Sequence, residues 1–148
     1  MRYIRAKKIK FGGVTFDSEF EFKVFNILKD NFELKTIDAH FPVCVRPQTQ
    51  WFKAQNWRVD FRIKLPKVLN NSEYLYVEAK GIIQQEFKEK MKNLSYFRPD
   101  IFENLVIVSP VNQCIVQGFN TVKIHDLSSF LYPERLEDFV NHCKKRIT

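Results

Sequence analysis

The sequence predicts an α/β domain, one mixed β-sheet with helices on its faces. Three observations carry that reading. A stretch of helical periodicity opens the chain, period-two stretches rich in β-formers follow, and a short continuously apolar run lies beyond a second helical stretch. A length of 148 residues suits one compact domain, 1–148, and a hydrophobic fraction of 45% suffices for its core. With 15 phenylalanines against 2 methionines and 4 glycines, that core is expected to be aromatic-heavy.

The first ten residues are basic and read as a loose arm or a short strand, followed by a turn at Gly12-Gly13. From Ser18 to about Asn31, Phe20, Val24, Ile27 and Leu28 form one apolar helical stripe, with Asp17 or Ser18 as N-cap. Leu34 to Val45 has alternating, β-branched character and ends at Arg46-Pro47. Residues 51–65 contain a second strand with Val59, Phe61 and Ile63 on one face and Asp60, Arg62 and Lys64 on the other. Pro66 is expected to stop it, and Asn70-Asn71-Ser72 reads as a turn.

Tyr74 to Lys80 forms a third strand, ended by Gly81. A helix from about Gln84 to Phe97 stops before Pro99, and Leu105 to Val108 reads as a strand buried on both faces. A short strand around Thr121 to Ile124 precedes a helical segment from about Pro133 to Arg146.

The net charge of +7 favours an anionic partner, because each phosphate neutralised releases a counterion; charge alone does not decide the matter. Cys44, Cys114 and Cys143 form no CxxC pair, which argues against a disulfide framework or a thiolate zinc site and fits a reduced, cytoplasmic compartment. The charged N-terminus lacks the apolar stretch of a secretory signal, and no run approaches the ~20 apolar residues of a membrane span. No membrane partner is therefore expected. The absence of a P-loop, GxGxxG or GxSxG turns the reading away from nucleotide hydrolysis, dinucleotide chemistry and α/β-hydrolase chemistry.

Chemistry concentrates in Val59-Asp60-Phe61 and Val77-Glu78-Ala79-Lys80-Gly81. Two residues apart on a strand, Glu78 and Lys80 project from one face. If the two strands pair, Asp60 reaches the same surface. Two carboxylates suit Mg²⁺, which takes one or two protein carboxylates alongside waters and phosphate oxygens. A nearby ammonium can orient water and neutralise charge on phosphorus. The plain alternative is a solvated strand face carrying an ordinary Glu–Lys pair.

Asp60 followed after eighteen residues by Glu78-Ala79-Lys80 resembles the signature of the PD-(D/E)XK nuclease superfamily. Upstream, Gly13-Val14-Thr15-Phe16-Asp17-Ser18-Glu19-Phe20-Glu21 resembles the G-x-x-F-D-S-x-x-E opening of a group of small phage-encoded nucleases within it. The resemblance spans roughly residues 12 to 108. It implies a restriction-endonuclease-like fold and a Mg²⁺-dependent endonuclease, with Mn²⁺ as substitute, acting on DNA in the cytoplasm (of the host, for a phage protein). The implied catalytic residues are Asp60, Glu78, Lys80 and Glu21, and the implied metal ligands Asp60, Glu78, Glu21 and the Ala79 carbonyl. Val59 stands where the family often has proline, and Ala79 where valine is more usual. Members that make two cuts commonly dimerise, so a homodimer enters as a partner, with no interface legible in the sequence.

Glu21 has a second reading, since Ser18-x-x-Glu21 is a capping box. Phe87-Lys88-Glu89-Lys90 matches the family's F-x-x-K, which gives Lys90 a place in DNA binding; Lys88, Arg58 and Lys8 are further candidates, with a solvated face as the default. Trp51, Phe52 and Trp57 flank Lys53 and Arg58; they read chiefly as core, with base stacking the alternative. His40, His125 and His142 share no metal-ligand spacing. Against the nuclease stand two other functions: a silent nucleic-acid-binding module on the same scaffold, or a protein-interaction factor.

Overall fold

The computed structural model describes residues 8–131 and 136–143. The described chain opens with a hairpin, β1 (Ile9–Phe11) and β2 (Val14–Phe16), joined by Gly12 and Gly13 at φ 54 and 82°. Both turn residues are left-handed, which glycine adopts without a Cβ clash. The apolar stripe that follows folds as α1 (Glu19–Asn31), with the Ser18 hydroxyl accepting the Glu21 N–H at its start. It buries Val24, Phe25 and Leu28, and the Phe25 ring stacks at 5.9 Å on Phe61 of the sheet.

After a single 3₁₀ turn (Leu34–Thr36) come three strands, β3 (Ile37–Arg46), β4 (Gln55–Leu69) and β5 (Ser72–Ala79), paired antiparallel in that order. Two helices, α2 (Gln85–Phe97) and α3 (Pro99–Phe102), return the chain to β6 (Leu105–Ser109), which lies parallel to β5. All five residues of β6 are buried, as its uninterrupted apolar run requires. A small hairpin, β7 (Cys114–Val116) and β8 (Phe119–Asn120), precedes β9 (Val122–Lys123), which adds parallel to β6 and completes a five-stranded mixed sheet β3-β4-β5-β6-β9. Helices α4 (Ile124–Phe130) and α5 (Leu136–Cys143) end the described chain.

The mixed α/β architecture is as expected, with local differences. β4 runs through Pro66 to Leu69: pairing is irregular between Lys64 and Leu69, so the missing Pro66 N–H falls where no ladder bond is made. The expected strand at Thr121–Ile124 is confined to Val122–Lys123, and Ile124 begins α4. Arg2, Arg5 and Lys7 at one end, and Lys144, Lys145 and Arg146 at the other, lie outside the described residues.

The β4–β5 turn has Asn70 and Asn71 at φ 49 and 63°, the left-handed pair of a tight hairpin. Buried Asn104 locks it from below: its amide donates to the carbonyls of Leu69 at 2.7 Å and Tyr74 at 3.0 Å, and its oxygen accepts from Asn70 at 3.0 Å. Asn104→Ala leaves two buried carbonyls without that donor and is expected to cost about 1–3 kcal/mol of stability in urea denaturation.

Candidate active site

The β4–β5 ladder pairs regularly up to Phe61↔Val77 and opens there. One residue further along each strand, side chains take over the backbone donors. The Asp60 N–H donates to Glu78 Oε1 at 3.0 Å, and the Ala79 N–H donates to Asp60 Oδ2 at 2.8 Å. The Trp57 indole N–H donates to the other Glu78 oxygen at 3.0 Å. Glu78 is 2% exposed, so its carboxylate sits in the interior, supported by two N–H donors rather than by water.

Lys80 completes the group. Its ammonium lies 3.9 Å from Glu78 Oε2 and 4.7 Å above the Phe87 ring. β5 ends at Ala79, but the Lys80 N–H still donates to the Val108 carbonyl of β6 at 2.8 Å, which holds its backbone beside the sheet. The next residue is clamped as well. The Gly81 carbonyl accepts from Ser109 Oγ at 3.0 Å and Gln113 Nε2 at 2.6 Å, while Gln113 Oε1 accepts the Ile83 N–H at 3.0 Å.

Glu21 reaches the same neighbourhood from α1 and is 4% exposed. Its N–H is capped by Ser18 Oγ at 3.1 Å, and its Oε2 accepts the Asp17 N–H at 3.1 Å. Helix capping therefore uses its backbone and one carboxylate oxygen. The other oxygen, Oε1, is 2.7 Å from His40 Nε2. Asp17, Glu21 and His40 each bring one ligand-type atom within 4.8 Å of the others, a mixed oxygen and nitrogen set.

His40 is the residue that sequence reasoning missed. Its neighbours Ala39 and Phe41 pair with Phe61 and Val59, so the register sets it opposite Asp60. Its backbone has φ 55° in the middle of a strand, a strained conformation for a residue with a Cβ. Strand register could have found it; histidine spacing along the chain could not.

The electrostatics follow from placing acids together away from water. Burial first, and the neighbouring Glu78 second, push Asp60 from an ordinary 3.8 up to about 9. Glu78 is raised by burial, and Glu21 by burial and then by the charge of Asp60. One ammonium does not offset two buried acids and a half-buried third. Asp60 and Glu78 are hard oxygen donors on rigid strands, and a divalent cation of the Mg²⁺ type fits both their chemistry and the positive charge they lack.

The other candidates divide. Arg58 and Lys90 line one groove of about 570 Å³ with Pro42, Val43, Cys44, Asn56 and Trp57, directly beside the residue that holds Glu78. Lys88 is half-buried on α2, and Lys8 is exposed just before β1; neither lines this groove. The expectation that Trp51, Phe52 and Trp57 are all core holds only for Trp57. Trp51 is 80% and Phe52 63% exposed, because β4 starts at Gln55 and leaves both in the preceding loop. In comparisons with known proteins, no family model, curated protein or solved structure matches the chain. Among the described residues, no helix is long and apolar enough to cross a membrane.

The raised Asp60 carries a pH signature. The folded chain keeps a proton that the unfolded chain has released between about pH 3.8 and 9, so stability falls as pH rises through that window. In EDTA the melting temperature should drop between pH 6 and pH 9, and Asp60→Asn should flatten the drop in a calorimetric series.

Proposed function

We propose that the chain is a Mg²⁺-dependent endodeoxyribonuclease that hydrolyses DNA phosphodiester bonds on a restriction-endonuclease-like scaffold, with Mn²⁺ able to substitute. The observation that carries this reading is the opened β4–β5 ladder, where Asp60 and Glu78 share a buried site beside the Lys80 ammonium. The order of elements supports it: a helix, three antiparallel strands, a helix, then a parallel strand. So does the groove bearing Arg58 and Lys90, which is also lined by Trp57, the donor to Glu78.

Asp60, Glu78 and the Ala79 carbonyl would hold the ion, with Glu21 extending the set from α1. Bound Mg²⁺ supplies Lewis acidity, acidifying a water and stabilising the leaving oxygen. The remaining work falls to the protein's own groups. Trp57 and the Asp60 N–H fix Glu78 in one orientation, so its position costs nothing at the moment of reaction. Lys80, steadied over Phe87, orients the attacking water and neutralises charge growing on the phosphoryl oxygens. Arg58 and Lys90 neutralise phosphates of the bound strand.

The test is a cleavage panel of linear duplex, single strand, flap and four-way junction, each with Mg²⁺, Mn²⁺ or EDTA. Cleavage is expected with either metal and none in EDTA. Glu78→Gln and Lys80→Ala should each reduce it roughly 10²–10³-fold while the far-ultraviolet circular dichroism spectrum stays that of the folded protein. Full activity in Glu78→Gln sinks the assignment. Salt-sensitive DNA binding without cleavage in either metal would replace it with a binding module. No DNA affinity, together with a stable complex in a pull-down, would replace it with an interaction factor. Separately, Lys90→Gln should weaken duplex binding across sequences and reduce the slope of log affinity against log salt by about 1.

A further inference from the structure

The loop joining β3 to β4, residues 47–54, presents its aromatics outward. Trp51 is among the most exposed large apolar side chains described, and Phe52 stands next to it. Such exposure usually follows from a loose loop, but this one is built. The Thr49 hydroxyl accepts the N–H of Trp51 at 3.2 Å and of Phe52 at 3.0 Å, and the Thr49 N–H donates to the Phe52 carbonyl at 2.9 Å. Arg46 ties the loop to the sheet: its guanidinium donates to the Lys53 carbonyl at 3.3 Å and lies 5.4 Å from the Phe52 ring centre. The backbone is thus organised around two rings that bury little of themselves. Ordering exposed apolar rings gains nothing in the free protein, whereas rings held ready lower the entropy cost of meeting a flat partner.

The surroundings identify that partner. Lys53 is next to Phe52 in the chain and Arg46 packs against its ring; directly after the loop, Asn56 and Arg58 of β4 line a groove with Lys90 and with Trp57, whose indole N–H holds Glu78. From Gln55 to Asp60 the strand spans roughly 16 Å, at about 3.3 Å per residue. That is the rise of roughly five stacked nucleotides at about 3.4 Å each. Aromatic faces take bases, and the cations beside them take phosphates. Paired bases inside a duplex do not offer their faces.

We propose that loop 47–54 is a stacking platform for unpaired bases, with Trp51 and Phe52 as its faces, and that it directs this protein to DNA carrying a single-stranded segment beside the cleavage point. The proposal names a substrate class for the site above and, in its nuclease part, rests on that reading. A duplex end or a junction arm with unpaired nucleotides fits the geometry: the unpaired strand stacks on the loop while its phosphates follow Arg58 and Lys90 inward. A uniform duplex engages the cations alone.

The chain has 2 tryptophans, Trp51 and Trp57, and only Trp51 is exposed, so base stacking reports directly in fluorescence. Full-length protein in EDTA is titrated with oligothymidylate of roughly ten nucleotides, within the span one such surface covers, and with a fully paired duplex of equal length. Oligothymidylate should quench the tryptophan emission, and duplex should quench it far less. Trp51→Ala and Phe52→Ala should each weaken oligothymidylate binding, read by anisotropy of a labelled strand, about tenfold, and change duplex binding less than about twofold.

Equal single-strand affinity in the double variant overturns the platform. So does loss of single-strand and duplex binding in equal measure. Loop-dependent binding to anionic vesicles, or loop-dependent dimerisation in sedimentation, with unaltered single-strand binding, overturns it in favour of that other occupant. Single-strand binding that depends on the loop but is never followed by cleavage in Mg²⁺ upholds the platform and defeats the nuclease. Cleavage that ignores both loop substitutions does the reverse.

Discussion

Two carboxylates of like charge share the interior end of a β-ladder, and much of the rest of the structure accommodates them. An isolated buried carboxylate is costly, and a second one beside it raises the cost again. Here the cost is offset by opening the β4–β5 ladder after Phe61↔Val77, which frees the N–H groups of Asp60 and Ala79 for the acids. The sheet thereby exchanges regular backbone bonds for backbone bonds to the two acids. The Trp57 indole and the Lys80 ammonium supply what backbone alone does not. Even so, Asp60 is pushed up to about 9, a sign that the free site is short of positive charge.

The elements around this opening are rigid for reasons independent of it. β6 is buried on both faces and braces β5 by parallel pairing through Ala79↔Val108. Asn104 pins the far end of the β4–β5 hairpin, and Gln113 with Ser109 pins the turn at Gly81. The acids therefore sit between two anchored ends. Side chains on strands supported this way keep their positions better than side chains on loops, which suits chemistry needing sub-ångström placement.

Around the acids the molecule is asymmetric. On one side α1 brings Glu21, and β3 brings His40 in a strained backbone that only the surrounding sheet can maintain. Beside Trp57 lies the groove of Arg58 and Lys90, and the loop that precedes β4 carries the exposed rings of Trp51 and Phe52. β4 contributes to all three parts: Asp60 to the acidic centre shared with Glu78 of β5, Arg58 to the groove shared with Lys90 of α2, and the loop before it to the aromatic margin. The proposed nuclease takes its chemistry from the centre and its choice of substrate from the margin.

Periodicity and turn chemistry determine much of this from the sequence alone. The stripe of α1, the alternation of β4, the apolar run of β6 and the turns at Gly12-Gly13 and Asn70-Asn71 are local patterns whose burial or dihedral demands have few solutions. Glu78 and Lys80 were legible for the same reason, since two residues apart on a strand means one face. Register is a property of two strands, and only the tertiary structure decides it. It sets His40 opposite Asp60, opens the ladder where Asp60 and Glu78 meet, and lets the Trp57 indole reach a carboxylate 21 residues further on. Strand boundaries decided the rest. A start at Gln55 rather than Trp51 turns two expected core aromatics outward, because alternation says which face a residue takes but not where the strand begins.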